Sequence, residues 1–211
     1  MKSRNYLSIL ALLLLSTQSA IAANISFTGN FSQDSDVSFF TFSIAAPSTV
    51  TLKTLSFSGG TNAAGDSIAS GGFQTAIHLW TAAGIDAGGD AAANGDALYS
   101  LALTAGSYIV ALTENNNLAL GDLPGGALDA SQFSQFGNGN FTGPEYNFAP
   151  GSFIDQNGDS RSNAWALDML SVDSAQAAGT IPVPEAGVLG MTLAGLAAFS
   201  LFTRRRQTFI Y

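Results

Sequence analysis

The chain has 211 residues, no cysteine and a formal net charge of −8, from 7 basic and 15 acidic residues. The absence of cysteine excludes disulfides and thiolate metal sites, and the acidic balance argues against nucleic-acid binding. Five of the basic residues lie in the two terminal segments. All 15 acidic residues lie between Asp34 and Glu185, and with Lys53 and Arg161 this part of the chain has a formal charge of about −13.

The first 22 residues predict a signal peptide. Lys2 and Arg4 precede an apolar run from Tyr6 to Leu15, and Ala20-Ile21-Ala22 supplies the small-x-small pattern that signal peptidase recognises. The alternative, a membrane anchor, fits less well because the run has about 10 residues, against the roughly 20 that a bilayer span needs. We therefore expect export and cleavage by signal peptidase after Ala22.

Residues 23–180 predict one all-β domain. In the segment Asp36–Ile44, Phe40, Phe42 and Ile44 alternate with Val37 and Phe39, which indicates a strand with two apolar faces. Similar segments are bounded by Gly, Asn, Asp or Pro. The predicted strands span 24–31, 36–44, 49–57, 73–81, 98–103, 106–114 and 164–172. Short strands with glycine-rich turns favour an antiparallel β-sandwich that resembles a jelly roll.

Two long segments interrupt the predicted strands. Residues 58–72 are rich in small residues, and residues 115–163 carry six aromatic residues among Gly, Asn and Asp. Loops of this length usually bind something or carry structure of their own. We expect most of the aromatic residues to pack beneath the second loop as a satellite core, and a binding surface is the alternative. These aromatic residues are Phe133, Phe136, Phe141, Tyr146, Phe148 and Phe153.

His78, the one histidine, and Trp80 lie on the same face of a predicted strand, with Ile77 and Leu79 on the other. If Leu79 faces the core, His78 and Trp80 form an exposed platform on which a sugar ring stacks. The favoured alternative is a sandwich whose faces are partly covered by the long loops.

The segment Asp155–Asn163 resembles a calcium loop in part. Asp155, Asn157, Asp159 and Asn163 occupy positions 1, 3, 5 and 9 of the EF-hand pattern, which places oxygen ligands at alternate residues. The glycine of position 6 and the acid of position 12 are missing. The favoured alternative is an Asx-rich turn in which Arg161 pairs with a nearby carboxylate. Calcium is thus the one cofactor that the sequence suggests. A second acidic stretch, Asp86 to Asp96, favours a turn over an ion site.

Catalysis has little support in the sequence. A Ser-His-Asp triad depends wholly on His78, and no G-x-S-x-G motif surrounds a serine. A glycosidase needs two carboxylates at a defined separation, and 15 acidic residues do not establish that placement. We therefore expect a protein that is not an enzyme.

The C-terminal segment, residues 181–207, predicts a short membrane helix followed by a basic cluster. Residues Gly187–Phe202 would form a helix of about 24 Å, shorter than a hydrocarbon core of about 30 Å. Arg204, Arg205 and Arg206 favour the cytoplasmic side and leave the acidic domain outside. A poor anchor of this kind suits transient insertion in the inner membrane, with a permanent single-span anchor as the alternative.

The tail "VPEAG", its apolar run and "RRR" together resemble the PEP-CTERM sorting signal of exopolysaccharide-producing Gram-negative bacteria. Val183, Pro184 and Glu185 match the motif, whereas Ala186 stands where the family usually has proline. The resemblance implies recognition by an exosortase, a membrane processing enzyme. The domain is similar to PEP-CTERM exported proteins of unassigned activity and, loosely, to the pre-peptidase C-terminal β-sandwich.

These observations predict an exported protein of the cell envelope, outer surface or extracellular matrix of a Gram-negative bacterium. We expect a structural or adhesive component associated with exopolysaccharide. The first alternative is a carbohydrate- or calcium-binding module with a defined ligand, and the second is a secreted hydrolase.

Overall fold

A computed structural model describes residues 22–92 and 95–181 of the chain. Apart from Ala22 and Ile181, the predicted signal peptide and the predicted sorting tail lie outside the described residues. Within the described segments, no helix has the length and hydrophobicity that a membrane span requires.

Eleven strands and three short helical turns make up the described segments. The helical turns are Pro124–Gly126, Ala130–Gln132 and α1, Thr142–Glu145. The strands are β1 Ala23–Asn30, β2 Val37–Ile44, β3 Ser48–Thr54, β4 Gly60–Thr61, β5 Ser67–Ile68, β6 Thr75–Thr81, β7 Asp86–Ala91, β8 Leu98–Leu103, β9 Gly106–Glu114, β10 Ala164–Val172 and β11 Ser174–Ile181.

The strands form two large sheets and one small hairpin. One sheet has the order β1-β10-β3-β8, the other has the order β11-β2-β9-β6-β7, and β4 pairs with β5. Every pairing between these strands is antiparallel. Eight of the strands follow the two-sheet order of a jelly roll, and β11 adds a fifth strand beside β2. The prediction of an all-β fold built from antiparallel sheets is confirmed.

The main core lies between the two large sheets. Phe40, Phe42 and Ile44 of β2 face it, as their period-2 spacing predicts, because alternate residues of a strand point to the same face. The opposite sheet contributes residues such as Leu52 and Leu167, both at most 1% exposed. Phe31, Phe73 and Phe153 close one end of this core through ring contacts at 5.2 Å.

A second apolar cluster covers the outer face of the five-stranded sheet. Val37 and Phe39 of β2 point to this face, and side chains of the 115–135 loop pack on them. A satellite cluster is therefore present, but the expectation that most of the six aromatic residues pack in it is wrong. Only Phe133 belongs to it, Phe153 lies in the main core, and the other four lie outside both clusters. Phe133, Phe141 and Phe153 are buried, Tyr146 is partly buried, and Phe136 and Phe148 are exposed.

Four strands and the three helical turns were not predicted. The 58–72 segment contains the β4–β5 hairpin, the Asp86–Ala91 stretch forms β7 instead of a turn, and β11 follows the last predicted strand. β7 and β11 are edge strands rich in Ala and Gly. Their backbone hydrogen bonds to a neighbouring strand stabilise them, and such pairing leaves little trace in side-chain periodicity.

Candidate functional site

The predicted carbohydrate platform of His78 and Trp80 is wrong, because Trp80 is 0% exposed. The two rings stack at 5.9 Å, and Phe133 packs edge-on against both, at 5.7 and 6.1 Å. The Trp80 indole Nε1 donates a hydrogen bond of 2.9 Å to the carbonyl of Gly121. The long loop therefore covers this face of the sheet, as the favoured alternative expected.

His78 acts as a hydrogen-bond acceptor for this loop. Its Nε2 lies 3.4 Å from the backbone nitrogen of Ala119, which donates to it. Burial lowers the pKa of His78 to about 4, and the nearby charge of Asp86 only partly opposes that shift. The neutral ring is thus packed between a strand and a loop and is only partly exposed, and its Nε2 accepts the loop's N–H group.

The segment Asp155–Asn163 forms a turn that closes on itself. One oxygen of Asp155 accepts the backbone N–H groups of Asn157 and Asp159, at 2.9 and 3.0 Å, as in an Asx turn. The side-chain amide of Asn163 donates to the carbonyl of Phe31 at 2.7 Å, away from the turn. The side chains of Asp155 and Asn163 therefore bond to different parts of the protein.

The second oxygen of Asp155 binds Arg161, which confirms the expected pairing of that cation with a nearby carboxylate. The guanidinium donates from Nε at 2.8 Å and from Nη2 at 2.5 Å. Burial alone would raise the pKa of Asp155, but the bonds from Arg161 and the turn hold that pKa below its usual range. Arg161 also stacks on Phe57 at 4.3 Å, so it ties the turn to the end of β3.

The sorting residues lie outside the described residues. Val183, Pro184 and Glu185 follow β11 in the chain, and Arg204, Arg205 and Arg206 follow the apolar run. Because β11 ends at Ile181, the motif begins two residues after the last strand.

Two of the buried carboxyl groups that the sequence did not indicate, Asp34 and Glu114, hold loops in place. Asp34 is 0% exposed, and its oxygens accept hydrogen bonds from the backbone N–H groups of Thr142 and Phe153 and from the Thr142 hydroxyl. Three donors offset the cost of burying this charge. Asp34 therefore fastens the loop that carries α1 and Phe153 to the β1–β2 connection.

Glu114, at the end of β9, is the second buried carboxyl group. It is 2% exposed and accepts the backbone N–H of Asn116 at 2.8 Å. Burial raises the pKa of Glu114 to about 8, against the effect of backbone hydrogen bonds, and the charge of Asp34 adds to the rise. A strand-end Glu in a sequence usually indicates a solvated side chain, so only the packing of the loops reveals this one.

Tyr146 lies beside Glu114. Its hydroxyl accepts a 2.6 Å hydrogen bond from the side-chain amide of Asn116. Burial, together with the charge of Glu114, raises the pKa of Tyr146 to about 12. The group is a neutral hydrogen-bonded cluster near pH 7, which suits it to holding loops together.

An open groove of about 490 Å³ lies at the edge of the four-stranded sheet. The end of β1, Ser56 just beyond β3, the segment 67–70 and the entry to β10 form its walls. Six of its lining side chains end in a hydroxyl or an amide, and these are Thr28, Asn30, Ser56, Ser67, Ser70 and Ser162. We call it the Trp165 groove, after the single aromatic residue among its described lining.

Trp165 lies against the floor of this groove and is 8% exposed. It packs on Phe31 and Phe40 at 6.1 and 5.7 Å, so its ring is held by the core. Its partner across the β1–β10 ladder is Gly29. A Cβ at Gly29 would lie 2.3 Å from Cζ2 of the indole, so only glycine allows this approach.

The described structure thus offers a histidine packed beneath a loop, the buried carboxyl groups of Asp34 and Glu114, and the polar Trp165 groove. Comparison with protein-family models and with curated proteins finds no match for this chain.

Proposed function

We propose that the chain is an exported protein of the bacterial envelope or extracellular matrix, with a structural or adhesive role in association with exopolysaccharide. In this proposal the β domain works outside the cell, and the terminal segments direct it there. The PEP-CTERM-like tail supports sorting by an exosortase-type enzyme. The arginines of the tail favour the cytoplasmic side of the membrane, which leaves the acidic domain on the outer side.

The outer surface of the sandwich carries this proposal. Short hydroxyl side chains lie on both sheets where no loop covers them, and two pairs bond across strands, Thr51 with Ser100 and Ser43 with Ser174, both at 2.7 Å. Exposed carboxylates surround them, and they are Asp66, Asp86, Asp122, Asp129, Glu145 and Asp159. Such a surface is strongly hydrated and resists self-association, which suits a component dispersed in a polysaccharide gel.

The basic residues of the described segments leave this charge largely uncompensated. Arg161 is held by Asp155 and by Asp159, the latter at 3.8 Å. Many carboxylates instead accept backbone N–H groups; Asp96, for example, accepts those of Phe57 and Ser58. Neutral donors satisfy these oxygens without removing their charge, so the domain stays acidic.

Cell fractionation of tail variants tests the proposal. In wild-type cells the β domain should appear in the matrix fraction. Replacing Arg204, Arg205 and Arg206 together by alanine should remove the topological signal and reduce that fraction at least severalfold. A matched triple change to lysine keeps the charge, so it separates retention by charge from recognition of arginine. Equal cytosolic recovery of all three proteins would contradict the proposal.

A carbohydrate-binding module is the second candidate function, because the Trp165 groove is open and polar. Calcium binding at Asp155, Asn157, Asp159 and Asn163 stays a prediction. A calcium titration tests it, since an ion that binds only the native state raises the melting temperature, and magnesium serves as the control. The hydrolase alternative stays untested and would require loss of a measured activity when single carboxylates are replaced.

A further inference from the structure

The Trp165 groove differs in charge from the domain around it. None of the described residues that line it is ionisable, although the domain carries a large excess of carboxylates. Ligand-binding pockets have volumes of about 300–1,000 Å³. The groove, at about 490 Å³, lies within that range. Thr28, Asn30, Ser67, Ser70 and Ser162 are exposed, so their polar ends are open to a ligand.

The chemistry of the lining selects a class of ligand. A cation would gain little, because carboxylates are absent from the described lining. An anionic polymer would meet the repulsive field of the acidic domain. A wholly apolar ligand would leave the hydroxyl and amide groups without partners. An uncharged, polyhydroxylated chain matches groups that both donate and accept hydrogen bonds.

Trp165 supplies an independent observation that points to a ligand. Its indole Nε1 is buried and has no hydrogen-bond partner among the described residues. A buried donor of this kind costs about 1–3 kcal/mol when it stays unpaired. Cε2, the ring atom bonded to Nε1, would lie 2.7 Å from a Cβ on Gly29, which itself lines the groove. The ring edge next to the unpaired donor therefore packs against Gly29, one of the residues that line the groove.

We infer that the Trp165 groove binds an uncharged polysaccharide chain. The serine, threonine and asparagine side chains of its walls exchange hydrogen bonds with sugar hydroxyls. The choice of polysaccharide rests on the proposed matrix function, since such a chain is what an exported matrix protein meets. The existence of a binding site rests on the groove alone.

Native affinity electrophoresis of the purified full-length protein tests this inference. Gels contain hydroxyethyl cellulose, dextran or galactomannan as neutral polymers, and alginate as a polyuronate. The acidic protein migrates towards the anode, and binding slows it. We expect at least one neutral polymer to retard the protein and alginate to have no effect. Retardation by alginate alone, or by none of the four polymers, would overturn the inference.

A matched pair of double variants locates the site. Thr28→Ala with Ser162→Ala removes two hydroxyls from the groove, and Thr49→Ala with Ser100→Ala removes two from the outer face of the same sheet. The groove variant should bind about tenfold more weakly, the effect of losing one or two hydrogen bonds. The control should bind as wild type does. If both variants bind the polymer equally weakly, the Trp165 groove is not the binding site.

Tryptophan fluorescence provides a readout that does not depend on migration. In a Trp80→Phe variant, Trp165 is the remaining tryptophan, so its emission should change when the neutral polymer is added. In a Trp165→Phe variant, emission from the covered Trp80 should stay constant. The opposite pattern would place the ligand at the loop-covered face. If the protein reaches the matrix but binds no neutral polymer, the inference about the groove is rejected and the proposed function stands. If the protein stays in the cytosol, the proposed function is rejected.

Discussion

Replacing Glu114 by glutamine should remove most of a pH dependence that this one carboxyl group imposes on folding. Glu114 is 2% exposed, and burial raises its pKa from 4.5 to about 8 in the folded chain. Because the folded state holds the proton more tightly, this group favours folding at low pH. That contribution is lost as pH rises from the unfolded pKa towards the folded one.

The change in folding stability follows from the pKa shift of Glu114. Each pKa unit corresponds to about 1.4 kcal/mol, so between pH 4.5 and pH 7 the folded chain loses about 3 kcal/mol through Glu114. Glutamine keeps the shape of the side chain and an oxygen that accepts the Asn116 N–H. It does not titrate, so this part of the pH dependence disappears.

Urea unfolding followed by tryptophan fluorescence measures the free energy of unfolding at pH 4.5, 5.5, 6.5 and 7.5. The difference between the Glu114→Gln variant and wild type should grow in favour of the variant by about 3 kcal/mol from pH 4.5 to 7. The contribution of His78 is common to both proteins and cancels. A difference that stays constant across this range would show that Glu114 is solvated in the folded chain, and would refute the described packing.

Three further predictions concern the loops. Because the pKa of His78 is lowered to about 4, folding stability should fall as pH drops from 6.5 to 4, and His78→Gln should flatten that loss of about 3 kcal/mol in acid titrations. Phe133→Ala should cost about 3–5 kcal/mol in urea unfolding and expose the 115–135 loop to proteolysis, since Phe133 covers Trp80; unchanged proteolysis would contradict this. Arg161→Ala should cost about 2 kcal/mol by leaving Asp155 buried without its cation, and Asp155→Asn in the same chain should recover part of that loss.

Local patterns predicted much of the sandwich. In β2, the alternation of Phe40 and Phe42 with Val37 and Phe39 correctly separates the main core from the outer cluster. This succeeds because a strand that is buried on both faces carries large apolar residues on both of them. In β11, small residues pair with β2 at the sheet edge, and little side-chain burial marks the strand.

The candidate site depends on contacts between distant segments, so the sequence indicated it poorly. The period of β6 placed His78 and Trp80 on one face, but only the loop around Phe133 decides that this face is covered. The Trp165 groove brings together the end of β1 and the entry to β10, which lie more than 130 residues apart. Glycine at position 29 was a visible signal, because a glycine within a strand often marks a close approach.

The delivery of the domain is the central claim, and the two ends of the protein recovered from producing cells test it most directly. Mass spectrometry of the protein in the extracellular matrix fraction should give an N-terminus at Ala23 and a C-terminus near Pro184 or Glu185. A cytosolic protein that keeps Lys2 at one end and Phe209 at the other would contradict the account.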